Sequence, residues 1–196
     1  MAAPMIARVL FTGGARSGKS AAAERLASQA DHVTYVATAP RYPNDPEWVN
    51  RIRSHRSRRP DHWTTIETSD IATEIRRADP GNPVLVDCLT LWLTSRLDDH
   101  GAWQNPASAL PLLHQEIDEL TDAVRCAQGG VVLVTNEVGM GIVPGTPAGR
   151  LFQDLLGKCN CAVAAECDEV YLVVVGRLLP IGGDPRSGEL LSGHPT

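Results

Sequence analysis

Short apolar runs alternate with longer helix-forming stretches along the chain. Runs with the length of buried strands lie at residues 7–12, 33–38, 84–87, 130–135 and 169–175, and a shorter, more polar strand is expected near residues 62–67. Helix-forming or amphipathic stretches separate them, at residues 21–27, 45–60, 69–77, 89–93, from 105 onward and 148–165. This alternation predicts an α/β fold with a mostly parallel central sheet flanked by helices on both faces.

The first apolar run leads into a glycine-rich sequence that matches a phosphate-binding loop. The loop reads Gly13-Gly14-Ala15-Arg16-Ser17-Gly18-Lys19-Ser20, between a predicted strand and a predicted helix. In this context successive backbone N–H groups point into one concavity, and the helix N-terminus adds its positive dipole end. We expect Lys19 to reach the β- and γ-phosphates and the Ser20 hydroxyl to hold Mg²⁺. The pattern predicts a nucleoside-triphosphate site in a phosphate-loop NTPase-like domain; the alternative is a glycine-rich turn that happens to end in Lys-Ser.

Residues 45–60 predict a helix with one apolar and one basic face. Asp45 suits the N-cap, Pro46 suits the first helical position, and Pro60 ends the segment. One face carries Trp48, Ile52 and His55, and the other is rich in arginine: Arg53, Arg56 and Arg58, with Arg51 and Arg59 nearby. Such a histidine is either a satisfied core residue or a nucleophile, and the arginines are either a solvated face or partners of a phosphate ester.

Three predicted strands end in polar residues at the edge where open α/β sheets bind ligands. Thr38 follows the second strand, and it either contacts nucleotide or caps a loop. Asp87 ends another strand, and it either steadies Mg²⁺ or caps the next helix. The pair Asn136-Glu137 opens a glycine- and proline-containing loop, which places it in the ligand-binding region.

The stretch after Asn105-Pro106 predicts a long amphipathic helix. Its inner side carries four apolar residues at helical spacing, Leu113, Ile117, Leu120 and Val124. Its outer side carries four acidic residues that we expect to face solvent and do nothing more, namely Glu116, Asp118, Glu119 and Asp122.

Composition narrows the function classes. The chain has 196 residues, 43% hydrophobic and 21% charged, as is ordinary for a globular protein. A formal net charge of -5 argues against a general nucleic-acid surface. We expect a single domain over residues 1–181, a flexible tail over 182–196, no membrane span, no signal peptide and a cytoplasmic location.

The five cysteines do not form a recognisable zinc pattern. They lie at residues 88, 126, 159, 161 and 167, and the pair nearest in sequence is separated by one residue, with no histidine pair to complete a site. We expect buried or free thiols, with a metal site as the weaker alternative.

Several of these segments, taken together, resemble one enzyme family. Thr12 to Ser20, Tyr35-Val36-Ala37-Thr38, Arg51-Ile52 with His55, Arg59-Pro60 with Trp63, and Val134 to Pro144 are similar to the adenosylcobinamide kinase / adenosylcobinamide-phosphate guanylyltransferase family. The phosphate loop is generic, whereas Asn136-Glu137-Val138-Gly139-Met140-Gly141-Ile142-Val143-Pro144 is highly specific. The resemblance runs in order from about Arg8 to Val175.

The resemblance implies a bifunctional enzyme of cobalamin nucleotide-loop assembly. It implies that the enzyme phosphorylates adenosylcobinamide with ATP or GTP, then transfers GMP from GTP to give adenosylcobinamide-GDP and pyrophosphate. By the same resemblance His55 carries GMP as a phosphoramidate, and Glu67 and Asp87 are acidic residues near nucleotide or metal. We expect Arg16 and Arg59 to bind phosphate oxygens. The family also implies a homotrimer and Mg²⁺ held with ATP or GTP by Ser20 and Asp87.

Two other functions fit parts of the sequence. A phosphate-loop kinase acting on a small alcohol would need no histidine nucleophile. A non-enzymatic nucleotide switch would normally carry an Asn-Lys-x-Asp guanine-reading motif, and this sequence contains none.

Overall fold

The computed structural model describes residues 7–40 and 44–182, apart from the side chain of Arg51. The described strands form one seven-stranded sheet in the order β3-β2-β4-β5-β1-β6-β7. The strands are β1 Arg8–Thr12, β2 Thr34–Ala37, β3 Thr64–Glu67, β4 Val84–Asp87, β5 Val131–Val134, β6 Glu169–Val174 and β7 Arg177–Pro180. The pairings among β1 to β6 are parallel, and β7 pairs antiparallel with β6. The mostly parallel sheet is therefore confirmed.

Six helices connect the strands within the described residues. They are α1 Lys19–Ala27, α2 Pro46–Arg56, α3 Ile71–Arg77, α4 Leu89–Asp99, α5 Pro106–Arg125 and α6 Pro147–Ala164. The predicted start of α2 is confirmed, because the Asp45 side chain accepts a hydrogen bond from the Trp48 N–H at 3.0 Å. Helix α4 continues past Leu93, where the sequence predicted its end, so the polar loop expected from residue 98 begins later.

Helices cover both faces of the sheet, as predicted. On one face, alternate strand residues such as Leu10, Val86 and Leu133 pack against α3, α4, α5 and α6. On the other face, the intervening residues Phe11 and Val134 pack against the alanines of α1. This division follows from the two-residue period of strand side chains.

The carboxyl ends of the central strands meet at one edge. Asp87 is in register with Ala37 of β2 and with Val134 of β5, which also pairs with Phe11 of β1. The phosphate loop, Thr38, Asp87 and Asn136 therefore leave the sheet on the same side. In parallel sheets this is the edge at which ligands bind.

The final hairpin was missing from the sequence prediction, which ended the sheet at residue 175. The chain turns at Val175 and Gly176, whose φ angles are 46° and 77°, and returns as β7. A two-residue turn with both residues left-handed normally uses asparagine or glycine, so valine concealed it. The Gly176 N–H donates to the Ser17 carbonyl at 2.8 Å, so this turn also braces the phosphate loop.

The acidic face of α5 is not a plain solvent face. Arg96 donates to both carboxylate oxygens of Glu116, and His100 lies 3.0 Å from Glu116 Oε1. Burial alone would raise the pKa of the Glu116 carboxyl, but Arg96 and His100 outweigh it and hold that pKa below its ordinary value. Glu116 thus ties α5 to α4. The tail was predicted over residues 182–196, and all of it except residue 182 lies outside the described residues.

Candidate active site

The phosphate loop curls around its own lysine. Gly13 and Gly18 have φ angles of 151° and 98°, and a Cβ on Gly13 would lie 2.4 Å from the Val173 carbonyl oxygen. The Lys19 side chain is largely buried, and its Nζ donates to the Gly14 carbonyl at 3.0 Å. Helix α1 begins at Lys19, so the positive end of its dipole lies at the loop. The binding of phosphate at this loop stays a prediction.

Asp87 is buried beside the loop and is held by several polar groups. Its Oδ2 accepts a hydrogen bond from the Tyr35 hydroxyl at 2.9 Å, and Ser20 and Asp87 line the same cavity. Burial would raise the pKa of the carboxyl, but His55, Tyr35 and Ser20 outweigh that effect and hold the pKa below its ordinary value. The capping alternative is wrong, because α4 has Cys88 at its N-cap position and no side-chain cap bond there.

His55 projects from α2 towards the phosphate loop. Its Nδ1 lies 3.7 Å from Asp87 Oδ2 and 3.2 Å from the Arg58 Nη2 atom. The histidine is partly exposed, and Trp48 and Ile52 on the same helix face line a cavity with it. The interpretation of His55 as a packed core residue is therefore wrong: this face of α2 borders open space.

Tyr35 supports Arg59, a role that the sequence analysis did not predict for the tyrosine. The Arg59 guanidinium carbon lies 3.4 Å from the centre of the Tyr35 ring, and its Nη1 is 3.5 Å from the Thr65 hydroxyl. Burial first, and then the Asp87 charge, raise the pKa of Tyr35 well above its ordinary value, so its hydroxyl remains a donor. The signal in the sequence was a tyrosine within an otherwise aliphatic strand.

Two cavities meet at His55. The first, of about 270 Å³, brings the predicted nucleophile His55 together with six of the residues predicted to bind nucleotide, namely Ala15, Lys19, Ser20, Arg59, Glu67 and Asp87, and Asn136 joins them. The second, of about 520 Å³, lies against the loop and α2 and includes Arg16, Ser17, Gly18 and Arg58. Lys19, Ser20 and His55 border both cavities. Arg56, expected on the opposite basic face, lines the first cavity instead.

Thr38 takes no place in either cavity lining. Its hydroxyl donates to the Cys88 carbonyl at 2.7 Å and accepts from the Cys88 N–H at 2.8 Å. These bonds tie the end of β2 to the end of β4. The Thr38 hydroxyl therefore holds these two strand ends together, and a contact between Thr38 and nucleotide stays a prediction. Gly13 and Gly14 shape the loop backbone and do not line these cavities either.

The loop after β5 is anchored at its base and apolar at its tip. The Asn136 backbone is held on both sides, by the Thr90 hydroxyl at 2.8 Å and by the Asn160 side-chain amide at 3.0 Å. The Glu137 N–H donates to the Gly13 carbonyl at 3.2 Å, which joins this loop to the phosphate loop. Further along, Met140, Ile142 and Val143 are strongly exposed.

Residues suited to a cation lie at the centre of the site. Within the described part of the chain, Glu24, His55 and Asp87 place ligand atoms within 4.8 Å of one another. The Ser20 hydroxyl and the ionised Asp87 carboxylate offer oxygen ligands, which Mg²⁺ prefers, so these residues fit the metal that accompanies a nucleotide.

The cysteines are not part of this group of residues. All five are free thiols, and burial raises the pKa of Cys88 to about 11 and that of Cys159 to about 12.

No helix in the described ranges is long and apolar enough to cross a bilayer.

The comparison with solved structures identifies the fold alone. A prototypical ATPase from the type III secretion system of pathogenic bacteria matches with a TM-score of 0.55 at 13% identity, covering 86% of this chain and 51% of that chain. The chain thus spans about half the length of that ATPase.

Sequence comparisons are more specific. The family profile described as cobinamide kinase / cobinamide phosphate guanyltransferase matches residues 9–181. The bifunctional adenosylcobalamin biosynthesis protein CobU of Escherichia coli is 42% identical over 86% of this chain and 96% of its own length. The corresponding protein CobP of Pseudomonas aeruginosa is 40% identical over 91% of this chain and 99% of its own length. With its phosphate loop, Asp87 and His55 assembled around one site, the chain belongs to the cobinamide kinase / cobinamide phosphate guanyltransferase family of enzymes.

Proposed function

We propose that this enzyme phosphorylates the aminopropanol hydroxyl of adenosylcobinamide with ATP or GTP, and then transfers GMP from GTP to that phosphate through a guanylyl-His55 intermediate. The products of the second reaction are adenosylcobinamide-GDP and pyrophosphate. One observation carries the proposal: His55 borders the same cavity as Lys19, Ser20 and Asp87. This shared cavity supports the proposal that His55 is a nucleophile acting on the nucleotide that the phosphate loop would hold.

In the kinase reaction, the loop amides and Lys19 bind and neutralise the transferred phosphoryl group while the cobinamide hydroxyl attacks it. Ser20 and Asp87 would hold the Mg²⁺ that arrives with the nucleotide, and the metal when bound neutralises charge on the phosphates. Lys19 now contacts the Gly14 carbonyl, so it exchanges that partner for phosphate oxygens. Arg59, held over the Tyr35 ring, and Arg16, at the second cavity, supply further positive charge.

In the transferase reaction, the imidazole of His55 attacks the α-phosphorus of GTP and pyrophosphate leaves. The phosphate of adenosylcobinamide phosphate then displaces GMP from the histidine. GMP thus passes from GTP to the cobinamide phosphate in two displacements at the same phosphorus, by way of the histidine. A direct transfer would instead need one phosphate anion to attack another in a single step. Glu67 lines the cavity and is our candidate for a contact with the nucleotide outside its phosphates.

The position of His55 favours this function over a simple alcohol kinase. A kinase has no use for an imidazole beside its phosphate loop, whereas a nucleotidyl carrier requires one.

We also propose that the chain is a homotrimeric cytoplasmic enzyme with one domain over residues 1–181. Light scattering, recorded as the protein elutes from a size-exclusion column, measures its mass and tests the trimer.

Labelling with GTP that carries ³²P on its α-phosphate tests the intermediate. We expect acid-labile, base-stable label on the wild-type protein and none on His55→Ala. His114→Ala is a matched control, because His114 is exposed on α5 and away from the site. Thermal melting of each variant checks folding. Equal labelling of His55→Ala and the wild type would remove His55 from the mechanism.

A further inference from the structure

The contacts of His55 differ between its two ring nitrogens. Nδ1 lies 3.2 Å from Arg58 Nη2 and 3.7 Å from Asp87 Oδ2. Both of those groups face the site: Arg58 lines the cavity beside the phosphate loop, and Asp87 lines the cavity with Lys19. Nδ1 is therefore the ring nitrogen that lies beside Arg58 and Asp87.

An arginine at hydrogen-bonding distance decides which nitrogen offers a lone pair. The guanidinium group has five N–H donors and no acceptor, so at 3.2 Å it can only donate. In the neutral ring, Arg58 can donate to Nδ1 only when the proton lies on Nε2. Asp87 Oδ2, at 3.7 Å from Nδ1, is beyond hydrogen-bond distance and does not compete for a proton on that nitrogen. The lone pair that a nucleophile needs thus lies on the side of the phosphate loop.

Arg58 is itself held in place by the first helix. Its Nε and Nη2 atoms donate to the two carboxylate oxygens of Glu24 at 3.2 and 3.3 Å. Such a two-point contact fixes the plane of the guanidinium. Glu24 belongs to α1, the helix that begins in the phosphate loop, so the bridge ties the helix that carries His55 to the helix that binds phosphate.

We propose that Nδ1 of His55 is the atom that bonds to the α-phosphorus, and that the Glu24–Arg58 pair selects it. This inference rests on the guanylyl-His55 intermediate proposed above. Arg58 holds the Nδ1 lone pair towards the site in the free enzyme. As the nucleotide arrives, the Arg58 donor moves from Nδ1 to an oxygen of the α-phosphate. Arg58 is thereby a catalytic residue, and Glu24 is a positioning residue.

The electron and proton balance of both steps is simple. In the first, the Nδ1 lone pair forms the N–P bond, the bond from the α-phosphorus to the bridging oxygen breaks, and pyrophosphate leaves with that electron pair. The ring keeps its Nε2 proton and becomes cationic, with Asp87 nearby to balance the charge. In the second, an oxygen of the cobinamide phosphate attacks and the N–P electron pair returns to Nδ1. Neither step requires a proton to enter or leave the ring.

NMR of the trapped intermediate tests which nitrogen reacts. Wild-type protein labelled with ¹⁵N-histidine is incubated with GTP at alkaline pH, where phosphoramidates survive, and its two-bond ¹H–¹⁵N correlations are recorded. The two nitrogens differ in their couplings to the ring protons, and the bonded one also couples to phosphorus. We expect the phosphorus on Nδ1. Phosphorus on Nε2 would overturn this inference and leave the proposed function standing, whereas absence of any guanylyl-histidine would overturn both.

The rate of enzyme guanylylation tests the role of Arg58. We expect Arg58→Ala to slow it by about 100-fold, in the range found when one donor to a developing phosphate or oxyanion charge is removed. Arg58→Lys, which keeps one charged donor, is expected to recover part of the loss, and Glu24→Gln to lose less than Arg58→Ala. Arg53→Ala is the matched control, because Arg53, on the helix that carries His55, donates to the Asn50 side-chain oxygen at 3.4 Å instead of to the histidine. Arg58→Ala and Arg53→Ala reacting at the same rate would overturn the assignment.

Discussion

Replacing Tyr35 with phenylalanine removes one hydroxyl from the site and leaves the ring in place. That hydroxyl donates to the buried Asp87 carboxylate at 2.9 Å, and it helps to hold the pKa of Asp87 below its ordinary value. The ring still supports Arg59, and no cavity larger than one oxygen is created. The substitution therefore isolates the bond between Tyr35 and Asp87.

The expected loss follows from the charge of the acceptor. A hydrogen bond to a charged group contributes about 1.5–3 kcal/mol. Asp87 keeps Ser20 and His55 as neighbours and borders a cavity, so we expect the lower end, about 1.5 kcal/mol. For a chain of this size that corresponds to a fall in Tm of roughly 3–6 °C.

The pH dependence of the loss has a definite sign. Because the folded-state pKa of Asp87 is depressed, its charge stabilises the fold above the unfolded-state pKa, and that stability is lost as the pH falls through the folded-state pKa. The Tyr35 hydroxyl supplies part of this effect. The difference between wild type and Tyr35→Phe should therefore be full at pH 7 and shrink below about pH 4, where the carboxylate becomes protonated.

Urea unfolding at pH 7 and pH 3, with metal chelated, measures the loss of unfolding free energy and its dependence on pH. Tyr171→Phe is the matched control, because the Tyr171 hydroxyl donates to Glu169 at the exposed surface. We expect the control to lose less than about 0.5 kcal/mol. A loss for Tyr35→Phe that equals the control at pH 7, or that stays constant between the two pH values, would refute this account of Asp87.

Three further substitutions test the phosphate loop, the hydrophobic core and the ion pairing of Glu116 that joins α5 to α4. Gly13→Ala places a Cβ 2.4 Å from a backbone oxygen and should abolish binding of a fluorescent GTP analogue, whereas Gly14→Ala meets nothing within 4 Å and should retain it. Leu133→Ala empties a fully buried position and should lower the free energy of unfolding by about 2–5 kcal/mol in a urea titration, with a loss under 1 kcal/mol counting against the packing described. Glu116→Gln should cost about 1 kcal/mol at pH 7, since its carboxyl is part-exposed. Because the pKa of Glu116 is depressed, that cost should disappear as the pH falls below about 4, and a cost that persists at pH 3 would contradict the ion pairing.

Contiguous features could be read from the sequence because their physics is local. The phosphate loop depends on glycines at two left-handed or crowded positions and on a helix that starts at Lys19, all within eight residues. The cap of α2 depends on Asp45 and on an N–H three residues later. The alternation of β1 to β6 with helices follows from hydrophobic periodicity. Each of these needs no knowledge of the rest of the chain.

The positions of the polar residues at the strand ends could be predicted from the sequence, but their roles could not. Thr38 and Asp87 both leave the sheet at the ligand edge, as expected from parallel strands. Their separate roles depend on partners about 50 residues away, because Thr38 bonds to Cys88 and Asp87 bonds to Tyr35. Periodicity carries no information about which of two polar residues at one edge turns into the cavity.

The β6–β7 turn was hidden for a different reason. Val175 adopts a left-handed conformation that local preferences disfavour, and the contact between Gly176 and Ser17 helps to hold it there. A propensity argument could not have found it.

The sequence by itself determined the elements other than β7, the mostly parallel character of the sheet, and the phosphate loop, since each rests on neighbouring residues and on backbone sterics. The surroundings of His55 were decided by tertiary structure. Glu24, Arg58 and Asp87 come from α1, the turn that follows α2 and the end of β4, and they meet because those elements pack at one edge of the sheet. Electrostatic contacts act over a few ångströms of space, whatever the separation along the chain, so the orientation of the imidazole had to await the fold.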